Sequence, residues 1–232
     1  MGGAGNTLAA RFFFEGDAVP VLHQMQISGN CYKIRLAAAQ LGVRLTLKEY
    51  PFGSGLTRKP EFLAKNPIGR VPMLEMDDGR CLAESGAILF HLAEGTALIP
   101  KDAFARAKML EWMFFEQYEH EPYVAVARRW LGFETKEALE PKKHLVPEWH
   151  AKGNAALKIM EDHLAKQEWL AGGRYSIADI ALYAYTHVAD EGGFDLAGYP
   201  KLRAWLGRVA SQPGHVKIMD QTSAVPVEAF KR

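Results

Sequence analysis

A proline stands at the head of an apolar run, Val71-Pro72-Met73-Leu74-Glu75-Met76, and restricts what that run can become. Proline has no backbone N–H to donate, so Pro72 is confined to the first residue of a strand, an edge or a bulge. The flanking residues complete a unit. Asn66-Pro67 and Gly69 mark a turn before the run. Asp77-Asp78-Gly79 behind it reads as a tight hairpin turn, with Arg80-Cys81-Leu82-Ala83 as the partner strand. Ser85 is placed to cap a helix through Ile88, Leu89 and Leu92 that stops at Gly95. Residues 66–95 thus spell loop, proline-led strand, hairpin, strand and helix.

The chain before this unit predicts β, α, β. Residues 19–25 read as a first strand, with Val21 and Leu22 buried. Ile27-Ser28-Gly29-Asn30 reads as a turn, and Asn30 as the N-cap of a helix through Ile34, Leu36, Ala38 and Leu41 that Gly42 ends. Val43, Leu45 and Leu47 alternate with Arg44, Thr46 and Lys48, the period of a half-buried strand. Parallel pairing of the two strands requires a right-handed crossover. Residues 52–57 form a loop, and Pro60-Glu61-Phe62-Leu63 a helical turn.

Residues 96–102, which contain Pro100, read as a linker, and beyond them the strand pattern disappears. Helices are expected over residues 103–120, 122–131, 147–164, 176–186 and 200–210, with a charged loop or short surface helix over 135–144. Ser176-Ile177-Ala178-Asp179 fits the reciprocal capping box, a hydroxyl at the N-cap and a carboxylate three residues on. The expected organisation is an extension over residues 1–17, an α/β domain over 18–95, the linker, and an all-helical domain over 103–232.

With its Asn-Pro, Val-Pro and Glu-Ser pieces at these distances, the first half resembles the thioredoxin-like, glutathione-binding domain of the glutathione S-transferases. The helix after Ser176 resembles the same family. The resemblance implies a mixed four-stranded sheet followed by a helical bundle, a homodimer, and glutathione as co-substrate without a metal. It also implies a cis Val71-Pro72 bond, which turns the Val71 main chain toward the γ-linked peptide as a pairing edge. Within the serine-type members (theta-, zeta- or bacterial nu-like), Ser28 falls on the position of the hydroxyl that holds the thiol. Asn30 is a second candidate for that donor.

Elementary chemistry agrees with these positions. The first amides of a helix lack internal partners, and the helix dipole favours an anion there. Each unit by which a thiol's pKa falls corresponds to about 1.4 kcal/mol of preference for thiolate, and one charge-assisted hydrogen bond contributes roughly 1.5–3 kcal/mol. A single hydroxyl with a helix terminus is therefore enough to ionise a thiol near neutrality. Ser85 at a helix start offers N–H and hydroxyl to the γ-glutamyl carboxylate, and Glu84 accepts from the ammonium. Arg70 stands beside Val71, within reach of the glycine carboxylate. A second substrate, a small hydrophobic electrophile, is expected against the helical domain, with Tyr118, Tyr123 and Arg128 as candidate lining residues. His120 lies between two glutamates, but adjacent helical residues point apart and no metal-ligand set follows.

Cys31 follows Ser28 by three positions. With cysteine in place of Ser28 the pair would be a dithiol redox motif; with serine there, Cys31 reads as a small buried apolar residue. Two cysteines far apart in sequence suggest no disulfide or metal framework, which fits a reducing cytoplasm. A formal net charge of +1 gives no general attraction to nucleic acid or anionic lipid, and no apolar run reaches membrane-spanning length. Three activities stay open: a transferase, a glutathione-dependent disulfide reductase, and a binding module that keeps the fold without catalysis.

Overall fold

A computed structural model describes residues 19–220. The described chain divides into two units. One holds the N-terminal part up to Ile99 together with the chain from Pro213; the other is Pro100–Gln212. The expected extension over residues 1–17 lies outside the described residues.

The first unit is built on a mixed four-stranded sheet. Strand β1 (Val21–Gln24) leads through helix α1 (Gly29–Leu41) to β2 (Thr46–Glu49), which pairs with β1 in parallel. A short helix α2 (Pro60–Leu63) precedes the hairpin of β3 (Met73–Glu75) and β4 (Cys81–Ala83), and α3 (Ser85–Ala93) follows. The sheet order is β2-β1-β3-β4, with β3 antiparallel to both neighbours. This is the α/β arrangement expected from the sequence, and the Val71-Pro72 bond is cis, as the resemblance implied.

Register explains the two faces of the sheet. Leu22 pairs with Leu47 and Leu74, and Leu74 with Leu82, which lines one face with leucine. That row and the buried Ile34, Leu36, Ile88 and Leu89 of α1 and α3 form one apolar layer. The neighbouring row carries His23 and Met73. On this side Tyr50, Phe62 and Met73 cluster, and His23 stacks on Tyr50 with ring centroids 5.6 Å apart. His23 donates and accepts within a buried chain, Nδ1 lying 2.8 Å from the Tyr50 hydroxyl and Nε2 2.7 Å from Glu75. Burial pushes its pKa below the ordinary imidazole value, against the opposing pull of Glu75.

Two helix starts differ from the sequence reading. Ser28, not Asn30, is the N-cap of α1, its Oγ accepting from the Cys31 N–H at 3.3 Å. Asn30 lies inside the first turn. Both residues are competent caps, but only Ser28 sits three before an amide that lacks a partner. Likewise Ser85 is the first residue of α3 rather than its cap; that position belongs to Glu84, with φ of 67° and ψ of 117°.

The second unit is helical. Helix α4 (Ala103–Phe115) starts at Asp102, whose carboxylate accepts from the Ala105 N–H. The expected break between residues 120 and 122 is absent. The chain continues as a π-helix (Glu116–Ala125) into α5 (Val126–Gly132), and Pro122 lies within the π stretch. Proline in an α-helix interior removes an i to i−4 bond and clashes with that carbonyl; the wider π turn takes the residue without ending the rod. A short helix α6 (Lys136–Leu139), capped by Thr135, occupies the charged stretch. Helices α7 (Val146–Leu164), α8 (Ile177–Thr186) and α9 (Pro200–Ala210) complete the unit.

Every residue of α8 is buried, so its start must satisfy its own amides. The Ser176–Asp179 capping box does this. Asp179 Oδ2 accepts from the Ser176 N–H at 2.9 Å, while Oδ1 accepts from the Trp205 indole at 2.9 Å and the Leu170 N–H at 3.2 Å. Complete burial of this carboxyl pushes its pKa up to about 6 despite those donors. Among the described residues no helix is long and apolar enough to cross a membrane.

Candidate functional site

The sheet brings the predicted residues to one end. His23 is paired with Met73, and Met73 with Ala83. The turn leaving β1, the cis-proline entry to β3 and the exit from β4 therefore emerge side by side. Ser28, Val71-Pro72 and Glu84-Ser85 are those segments. The N-termini of α1 and α3 open at the same end, and their helix dipoles make it electropositive.

Side-chain contacts join the pieces. Asn30 Oδ1 accepts from Lys33 Nζ at 2.7 Å and from the Ser85 hydroxyl at 3.4 Å, and Lys33 Nζ lies 3.4 Å from Ser85 Oγ. Lysine only donates, so the carbonyl end of the Asn30 amide must face it. The acceptor of Asn30 is thus engaged with Lys33 and Ser85 across the two helix starts, while Ser28 keeps its hydroxyl at the α1 terminus. Lys33, 1% exposed, was not singled out from sequence. In the sequence it is one of two cations, with Arg35, in a helix otherwise of largely apolar residues.

The loop before the proline is built by Asn66. Its side chain, 3% exposed, donates to the Arg70 carbonyl at 2.8 Å and accepts from the Ile68 N–H at 3.2 Å. Arg58 donates to the Ile68 carbonyl at 2.9 Å, and Gly69 holds φ of 66° where a Cβ would meet the Arg58 guanidinium at 2.7 Å. These contacts fix the approach to Val71 while leaving the Arg70 side chain exposed.

Cys31 is fully buried, with the Met25 N–H pointing at its sulfur from 3.3 Å. Burial pushes its thiol up to about 11, so it is neutral and unreactive at physiological pH.

The helical-unit candidates fall in three different settings. Tyr118 is 73% exposed. Tyr123 is half-buried, with Lys152 Nζ 5.1 Å from its ring centre. Arg128 is 5% exposed, its Nε 2.8 Å from Glu191 and its guanidinium over Phe133, so its charge is taken up inside the unit. His120 is buried with Nε2 3.0 Å from the Thr186 hydroxyl, a core contact. Among the described residues no group of three His, Cys, Asp or Glu side chains is arranged to hold a metal.

A thioredoxin-like unit with a helix-terminal serine, a cis proline and a Glu-Ser helix start, followed by a helical unit, is the arrangement that the sequence resemblance implied. The comparisons with known proteins give the family. The glutathione S-transferase N-terminal domain matches residues 20–94 and the C-terminal domain matches residues 109–213. The chain belongs to the glutathione S-transferase family. A crystal structure of a glutathione S-transferase from Pseudomonas fluorescens is 47% identical, with a TM-score of 0.83, covering 87% of this chain and all of that one. The disulfide-bond oxidoreductase YfcG of Escherichia coli is 28% identical over 191 residues, 79% of this chain and 87% of the relative. Elongation factor 1-gamma of Danio rerio is 30% identical over 227 residues, and there the chain spans half the relative's length.

Proposed function

We propose that the protein is a cytosolic, homodimeric glutathione transferase. It binds glutathione at the convergent end of the sheet and activates its thiol with Ser28. The observation that carries this reading is the convergence itself: a hydroxyl at one helix terminus, a strand entry with main-chain groups to pair, and a second helix terminus within 3.4 Å of the first through Asn30 and Ser85. The γ-glutamyl carboxylate takes the Ser85 hydroxyl and the α3 amides, and Glu84 accepts from the ammonium. Val71 pairs with the cysteinyl main chain, and the exposed Arg70 reaches the glycine carboxylate. The thiol loses its proton to solvent, and Ser28 Oγ–H donates to the sulfur anion. That sulfur attacks an electrophilic carbon, forming a C–S bond as the leaving group departs with its electron pair. Tyr118 and Tyr123 are the aromatic groups proposed for the hydrophobic electrophile; Arg128, paired with Glu191, is left out of that role.

The likeness to YfcG favours a second reading, glutathione-dependent reduction of small disulfides at the same site. There bound thiolate attacks a disulfide sulfur and releases the other sulfur as a thiol. Calorimetry with glutathione and with its disulfide tests the shared site, and binding of neither would overturn both readings. An electrophilic aryl halide against hydroxyethyl disulfide separates them. Turnover of the halide that collapses in Ser28→Ala is expected; turnover of the disulfide alone, unaffected by that substitution, selects the second.

A further inference from the structure

The chain from Pro213 returns to the first unit, and two of its main-chain carbonyls, those of Ile218 and Asp220, are held by one residue, Gln26. Gln26 is a central residue of the turn that the Ser28 N–H closes onto the Met25 carbonyl at 3.1 Å. Each of its polar groups is held. The Gln26 N–H donates to Glu49 at 2.8 Å, and its carbonyl accepts from the Arg35 guanidinium at 2.9 Å. Its side-chain amide donates to the carbonyls of Ile218 at 2.8 Å and Asp220 at 3.2 Å. Arg35, 4% exposed, joins the same places, because its Nη2 also donates to the Ile218 carbonyl at 2.6 Å. Tyr32 extends the attachment along α1, its hydroxyl donating to the Val216 carbonyl at 2.6 Å. Ile218 is buried where it docks.

We propose that this returning segment, residues 213–220, is a positioning element for thiol activation, acting through Gln26 on the turn that presents Ser28. Three separate elements, β2 through Glu49, α1 through Arg35 and the returning segment, fix one turn residue two positions before the hydroxyl. The Ser28 N–H, carbonyl and hydroxyl tie it to Met25, Tyr32 and Cys31, and the contacts of Gln26 add the orientation of the turn before it; donor strength to a thiolate falls steeply with misalignment. The inference rests on the reading of Ser28 as the thiol's donor. It adds that the hydroxyl's placement depends on Gln26 and Tyr32, neither of which touches the thiol.

The test uses the full chain with glutathione bound and follows thiolate absorbance against pH in wild type, Gln26→Leu and Tyr32→Phe. Both variants are expected to raise the apparent pKa of the bound thiol by about half to one unit, a roughly three- to tenfold fall in the ratio of thiolate to thiol. Glutathione affinity should stay within about twofold, and turnover should recover in alkali, where the thiol ionises unaided. A role confined to holding the fold would lower the melting temperature and leave the thiol pKa at its wild-type value; that result overturns the proposal. Should Gln26→Leu not fold, Tyr32→Phe decides alone, since it deletes one hydroxyl from a packed ring. A thiol pKa that moves in Ser28→Ala but in neither variant removes only the positioning role. One that is also unmoved in Ser28→Ala removes the reading beneath it as well.

Discussion

Replacing Asp179 by alanine probes the start of the buried helix α8 and carries a pH signature of its own. The substitution removes the acceptor of three N–H donors, those of Leu170, Ser176 and the Trp205 indole, on residues that are at most 1% exposed. An orphaned buried donor costs about 1–3 kcal/mol. Relief of a buried charge offsets part of the sum, so a net loss of about 3–5 kcal/mol at neutral pH is expected. The folded carboxyl titrates at about 6, above its ordinary 3.8, because burial disfavours the charge. Between those values the folded chain holds a proton that the unfolded chain has released. The carboxyl's contribution is therefore complete below the lower value and declines as pH rises through the upper one. Denaturant unfolding of both proteins at about pH 5 and about pH 7.5 should show the wider gap at the lower pH. A gap that narrows on acidification would refute the reasoning, since it requires the native carboxyl to titrate below its unfolded value.

Two further substitutions separate stability from binding. Glu84 holds φ of 67° and ψ of 117°, a positive-φ conformation that a Cβ resists and glycine tolerates at lower cost. Glu84→Gly should raise stability by about 1 kcal/mol in thermal unfolding, and weaken glutathione binding about tenfold in calorimetry through loss of the ammonium partner; unchanged affinity would dismiss that partner. Gly153 faces the Phe194 ring so closely that an added Cβ would lie 2.5 Å from it. Gly153→Ala should cost about 1–3 kcal/mol in a core with no room to shift, and a neutral result in thermal unfolding would show that Phe194 yields.

Much of the fold was legible because its signals are local. Pro72, the Asp78-Gly79 turn, the Gly42 stop and the Ser176 box each act within a few residues, and each stands where the pattern put it. Asn30 misled because two cap-competent residues lie two apart, and the choice depends on which oxygen reaches an amide rather than on residue type. Pro122 misled because proline normally ends an α-helix, while a π turn admits it. Lys33 is visible as an oddity in an apolar helix, but its partners Asn30 and Ser85 come from elements 55 positions apart. The returning segment was unreadable. Its attachment consists of side chains meeting main-chain carbonyls of residues 216, 218 and 220, a pairing that no periodicity records.

The most direct measurement is the ionisation of glutathione's own sulfur on the protein, read by thiolate absorbance in wild type and in Ser28→Ala. The wild-type complex should titrate near pH 6.5–7, about one and a half to two units below a free thiol. Ser28→Ala should return most of that shift while still binding the peptide. Equal titration of the two complexes at the free-thiol value would contradict activation by Ser28.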